Sequence, residues 1–221
     1  MSVFGGPNLV TDGLVLCLDA GNTRSYPGSG TTWTDLTPNA ANITLVNSPT
    51  HTAGVNGYFT FASASSQRGT GSASNVIPTT AYTKSVWFYL NTIADNNLLS
   101  SDTGGHFMWF NSTSTMYNGH TDWASYTSYG STATFSTSTW YHVSLTFNTT
   151  DGFVLYINGI IDSTYTAQKT AHTGTGATNV GSFATGNLLN GRIASAMCYN
   201  RSLTSAEVLQ NFNALRGRFG I

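Results

Sequence analysis

Charge is what this sequence has least of. Charged side chains make up 8% of its 221 residues, against roughly 25% in an ordinary soluble domain. Glu207 is the one glutamate. The eight lysines and arginines are scattered and the net charge is −1, so the basic stripe that nucleic acid requires is missing. Near-neutrality also removes the repulsion that keeps copies of a chain apart, so self-association meets little resistance. No apolar run nears the roughly 20 residues of a membrane-spanning helix. The N-terminus, Met1 to Pro7, has no charged segment leading into an apolar stretch, as a secretory leader would. The expectation is no nucleic-acid partner and no membrane. Cysteine is scarce too: Cys17 and Cys198 form no Cys-x-x-Cys pair, so neither a zinc knuckle nor a redox motif is indicated. Both sit in apolar strand-like runs, which reads as two buried thiols; pairing needs close Cα atoms, which sequence does not give.

Ser, Thr, Asn and Gly fill the place of charge, and apolar residues make up 40%, enough for a packed core at this length. The apolar runs are short and strand-like. Leu14 to Leu18 leads to Asp19; Ile43 to Val46 and Tyr58 to Phe61 follow; Ser85 to Leu90 is apolar on both faces and reads as a central, covered strand. Asn96 to Ser101 and Phe107 to Phe110 read as two more, joined by a turn at 102–105. Trp140 to Phe147 alternates, with Tyr141, Val143, Leu145 and Phe147 on one face and His142, Ser144 and Thr146 on the other. Phe153 to Ile157 returns, and Asn158-Gly159 signals a tight hairpin. Arg192 to Tyr199 is a late strand.

One helix is expected, at about 204–216. Thr204 and Glu207 form a capping box, Leu203 and Val208 are placed as a staple, Val208, Phe212 and Leu215 recur at helical spacing, and Gly217 ends it. With no repeat, heptad or linker, residues 1–221 read as a single all-β domain, a two-sheet antiparallel jelly-roll sandwich with one short C-terminal helix.

Six motifs occur in order: Gly13-Leu14-Val15-Leu16 leading to Asp19; Trp33-Thr34-Asp35-Leu36; Ser85-Val86-Trp87-Phe88; Trp140-Tyr141-His142-Val143; Leu155-Tyr156-Ile157-Asn158-Gly159; and the run from Cys198 to Glu207. Together they resemble the laminin-G-like, concanavalin A-like lectin/glucanase superfamily over nearly the whole chain, which implies the same jelly roll. Leu18-Asp19-Ala20-Gly21-Asn22 and the tail from Tyr199 to Ile221 resemble the version of this domain found in structural proteins of tailed bacteriophages. That resemblance implies a virion-surface protein, a capsid decoration or short fibre/appendage subunit, with other capsid or tail proteins and copies of itself as partners. The apolar end Phe219-Gly220-Ile221 is then a candidate docking contact, or else is tucked onto its own domain.

Some members of the superfamily hydrolyse glycans, which takes two carboxylates across the glycosidic bond. Here the capping box accounts for Glu207, and no two aspartates share a spacing that puts them on one strand face. There is no Gly-x-Ser-x-Gly elbow, no histidine pair at metal-binding spacing and no phosphate-cradling glycine loop. The chain is expected not to be an enzyme and to require no cofactor. Structural calcium is the one metal to weigh, since in the superfamily it bridges the early loop to a late strand. Asp19, Asp35 and Asn39 could supply the early side, whereas the late strand, Ile193 to Met197, offers no carboxylate. For glycans, aromatic faces beside amides and hydroxyls are required. The stretch Met116 to Tyr129 supplies Tyr117, Asn118, His120, Trp123, Tyr126 and Tyr129 as candidates; the ordinary alternative is that these aromatics pack between strands. Cell-surface or environmental glycans are therefore expected partners, either of a virion protein or of a carbohydrate-binding lectin module not tied to a virion.

Overall fold

The computed structural model describes residues 6–71, 76–101, 106–120, 129–172 and 176–221. These form sixteen strands and one α-helix. The strands are β1 (Leu14–Asp19), β2 (Thr32–Trp33), β3 (Ile43–Val46), β4 (Thr50–Thr52), β5 (Tyr58–Phe61), β6 (Arg68–Gly71), β7 (Ala81–Leu90) and β8 (Asn96–Asn97), then β9 (Leu99–Ser101), β10 (His106–Phe110), β11 (Met116–His120), β12 (Trp140–Asn148), β13 (Gly152–Ile157), β14 (Ile160–Tyr165), β15 (Thr178–Val180) and β16 (Gly191–Tyr199). The helix is α1 (Ser205–Leu215). Among the described residues no helix is long and apolar enough to cross a membrane.

All strand pairings are antiparallel. The large sheet runs β14-β13-β12-β7-β16-β5-β4, with β1 beside the second half of β16. A five-stranded sheet, β2-β3-β6-β15-β9, and a three-stranded one, β11-β10-β8, lie opposite. One apolar core joins them: Val86, Phe88, Val143, Leu145, Ile193 and Cys198 of the large sheet meet Ile43, Leu99, Met108, Phe110, Met116 and Val180. The chain is thus a jelly-roll sandwich. Strand β7 is central and buried along nearly its whole length, as its two apolar faces require.

The outer face of the large sheet is half covered. Val208 of α1 packs with Cys17, Tyr156, Met197 and Tyr199, and Phe212 packs on Trp87 and Ala194. The capping box forms as the sequence indicates, with Thr204 accepting from the Glu207 amide and Glu207 from the Thr204 amide. Gly217 does not end the helix; the chain tightens into a 3-10 turn over Arg216–Arg218, and Gly220, at φ +73°, makes the reversal. The tail is tucked: Phe219 stacks on Trp87 at 4.4 Å and meets Trp140 at 4.6 Å.

Cys17 and Cys198 are free and buried. They lie on adjacent strands, but Cys17 sits opposite Met197 and belongs to the helix-side cluster, while Cys198 points into the main core. Alternation sends them to opposite faces, and burial pushes both thiols up to about 12, so they are inert.

Several strands lacked a sequence signal. Residues 96–101 are not one strand but two in different sheets, β8 and β9. The short strand β4 pairs with its sequence neighbour β5, while β6 and β15 pair only with strands distant in sequence. The expected turn at 102–105 lies outside the described residues.

Candidate functional site

Where α1 stops, the outer face of the large sheet carries a row of half-buried side chains, one from each of four neighbouring strands. Tyr58 on β5, Arg192 on β16, Tyr89 on β7 and Trp140 on β12 are set by register: Arg192 pairs with Tyr89, and Tyr89 with Trp140. The Arg192 guanidinium carbon lies 4.9 Å from the Tyr58 ring centre and 4.3 Å from that of Tyr89. Trp140 closes the group at 5.6 Å from Tyr58 and 5.7 Å from Tyr89, and Phe219 supports it from the helix side. At the strand ends beside this row, the Asn91 side-chain amide donates to the Asn190 side chain at 3.3 Å, and their backbones pair at 3.0 Å. Ring faces carry partial negative charge that meets the weakly positive C–H face of a pyranose, and amides suit its hydroxyls. The row therefore has the parts of a sugar site.

Sequence reading missed this row. Tyr89 lies in a run aromatic on both faces, which reads as fully covered, and Arg192 opens an otherwise apolar strand. The signal was there in Tyr58, Tyr89 and Trp140 on the faces pointing away from the core, but which of them become neighbours is a matter of long-range register.

The structure splits the expected glycan stretch by strand alternation. Tyr117 faces outward, 5.4 Å from Trp109, and bridges to Gly130. Tyr129 packs edge-on against Tyr165. Asn118 and His120 point into the sandwich, 1% and 2% exposed. Trp123 and Tyr126 lie outside the described residues.

Inward-facing His120 belongs to a buried polar cluster. Its Nε2–H donates to the Thr170 carbonyl at 2.7 Å, and its Nδ1 accepts from the Tyr82 hydroxyl at 2.8 Å, an assignment that leaves the ring neutral; burial lowers its pKa to about 4. Lys84, fully buried on β7, reaches across the sandwich to the Phe107 carbonyl at 2.9 Å and His106 Nδ1 at 3.4 Å. Burial brings its ammonium down to about 7. His172 holds the Pro78 carbonyl at 3.0 Å. Among the described residues no group of three His, Cys, Asp or Glu is placed to hold a metal ion. His142 has a serine partner, Ser85, at 2.7 Å, and Ser144 donates to Ser85 at 3.0 Å. The pair resembles a nucleophile and its base, but both residues are fully buried, and the Trp87 and Phe212 rings pack at a tilt against the imidazole.

Of the three calcium candidates, the two carboxylates do not fit a metal, because donors of the chain itself take their oxygens. Both Asp19 oxygens pair with Arg218, at 2.8 and 3.0 Å, and one also accepts the Gly21 amide. Asp35 accepts from the Cys17, Thr37 and Ala41 amides and the Thr37 hydroxyl, all within 2.7–3.0 Å. The Asn39 side-chain amide donates to the Val15 carbonyl at 2.8 Å.

Residues 54–209 match the family model for the concanavalin A-like lectin/glucanases superfamily. That match covers well over half of the chain, and the chain belongs to this superfamily. No curated protein sequence matches it. Among solved structures it is similar to Trypanosoma rangeli sialidase, with a TM-score of 0.67 and 16% identity over 95% of this chain and 34% of that one. It is similar also to the binding domain of botulinum neurotoxin serotype G, at 0.67 and 12% over 90% and 50%. The binding domain of botulinum neurotoxin DC, solved in complex with SialylT, gives 0.67 and 13% over 92% and 52%. The chain spans between a third and about half of these proteins, and at such identities the likeness is one of fold.

Proposed function

We propose that this protein is a glycan-binding, lectin-like domain, and that the Tyr58–Arg192–Tyr89–Trp140 row is where the sugar lies. The observation that carries the reading is the row itself: three aromatic rings and a guanidinium, partly open to solvent on a rigid sheet face, beside two side-chain amides. Membership of a lectin superfamily and a fold shared with neurotoxin binding domains, one of them solved with SialylT, support it. The outward pair Trp109 and Tyr117 is the second place where a ring could stack. A glycan array with the wild-type protein and Tyr89→Ala tests the assignment. Signals lost with Tyr89 support the row; signals that persist move the site elsewhere.

The reading is of a binder, not a catalyst. Glu207 is held by Arg201 at 2.6 and 3.0 Å, a pairing that, with the helix cap, lowers its carboxyl to about 2. A carboxyl ionised that firmly cannot donate a proton to a leaving group at neutral pH.

The wider role is read from resemblance: a virion-surface protein of a tailed bacteriophage, as a capsid decoration or short appendage, with capsid or tail proteins and copies of itself as partners. The two stretches that carry this resemblance meet in the structure, where Arg218 of the tail clamps Asp19. Light scattering on the purified protein tests it: a stable closed oligomer favours a virion building block, and a monomer that binds glycans favours a lectin module not tied to a virion.

A further inference from the structure

Resting on the glycan reading of the row, we infer that its ligand is an acidic sugar whose carboxylate is received by Arg192. Of the other arginines on this side of the sheet, Arg216 is exposed beside the Phe212 ring, and two are taken by carboxylates. Arg218 is paired with Asp19, and Arg201 with Asp12 and Glu207. Arg192 has no carboxylate partner among the described residues, and its Nε is buried with no hydrogen-bond partner. Two tyrosine rings hold the guanidinium in place. With the Nε closed off, the two terminal nitrogens are left to meet a ligand, and their paired N–H groups match a carboxylate in a bidentate fork. A neutral sugar would leave an immobilised, partly desolvated cation uncompensated. A carboxylated one neutralises it while its ring lies on the neighbouring aromatic faces. The sheet fixes the fork before the ligand arrives, so little ordering is needed on binding.

The matched probes are oligogalacturonate and its methyl ester, which keep the ring and differ in charge, together with 3′-sialyllactose and lactose in case the acid must be carried differently. Binding is followed by tryptophan fluorescence in wild type, Arg192→Gln and Arg192→Lys. In wild type at least one acid should bind tenfold or more tightly than its neutral counterpart. That ratio should fall to near one in Arg192→Gln and recover only partly in Arg192→Lys, which restores charge without the fork. If wild type binds an acid and its neutral partner equally well, the inference is overturned and the glycan reading stands. If no probe binds and a glycan array is also blank, both fall. Should Arg192→Gln fail to fold, the wild-type acid-to-neutral ratio and the Arg192→Lys variant still decide.

Discussion

Replacing Asp35 with alanine takes four hydrogen-bond acceptances out of a turn that is nearly closed to solvent. The carboxylate ties β1, through the Cys17 amide, to the stretch leading into β3, through Thr37 and Ala41. Thr37 can turn to water, since it is only partly buried. The amides of Cys17 and Ala41 belong to buried residues and would be left without acceptors. A buried donor left unpaired costs about 1–3 kcal/mol, so Asp35→Ala should lose about 4 kcal/mol. In a chain of this length that lowers Tm by on the order of 10 °C. Asp35→Asn should cost about half as much, because its oxygen still accepts from one side while its amide faces the Ala41 N–H. Urea unfolding with linear extrapolation measures both. The losses should be the same with added calcium and with chelator, since protein donors hold these oxygens. An Asp35→Ala loss under about 1 kcal/mol would refute the reasoning, and a wild-type curve that shifts with chelator would return Asp35 to metal binding.

Other outcomes follow from single contacts. Gly159 sits at φ +80°, and an added Cβ would come within 3.0–3.1 Å of Leu209 and Phe212. Gly159→Ala should therefore cost about 1–2 kcal/mol; a neutral substitution, measured by the same unfolding, would mean that the hairpin relaxes. Burial lowers the pKa values of His106, His120, His142 and His172 below the ordinary 6.5, that of His142 to about 3. The unfolded chain takes up these protons first, so the stability that the neutral rings contribute is complete above pH 6.5 and is lost as pH falls below it. Each ring contributes up to about 1.4 kcal/mol per pH unit, and His142→Gln should reduce the slope between pH 6 and 4 by that amount. An unchanged slope would show that His142 is charged in the fold.

The long, regular elements could be read from the residues alone. The alternation in 140–147, the Asn158-Gly159 turn, with both residues at positive φ, and the Thr204–Glu207 box are local signals, and local geometry obeys them. Strands such as β6 and β15 gave none. At position 69 only glycine fits, because Ile43 and Val180 close over it, a constraint set by residues far off in sequence. The candidate site divides the same way. Aromatic richness at 116–129 was visible, yet β11 turns Tyr117 outward and Asn118 and His120 inward. Tyr58, Tyr89, Trp140 and Arg192 come from four separate stretches, and only the pairing of β5, β16, β7 and β12 makes them neighbours. Asp19 and Asp35 had the residue type for calcium, but local amides occupy them together with donors that arrive from elsewhere in the chain, Arg218 on Asp19 and the Cys17 amide on Asp35.

Calorimetric titration of the strongest array glycan into wild type, Tyr89→Ala and Tyr117→Ala is the measurement that bears most directly on the central claim. Loss of a stacking face is worth about 1.4 kcal/mol or more, a tenfold change in Kd. Tyr89→Ala should weaken binding at least tenfold, with Tyr117→Ala within about twofold of wild type. Full affinity in Tyr89→Ala would contradict the account, and the more so if Tyr117→Ala abolished binding.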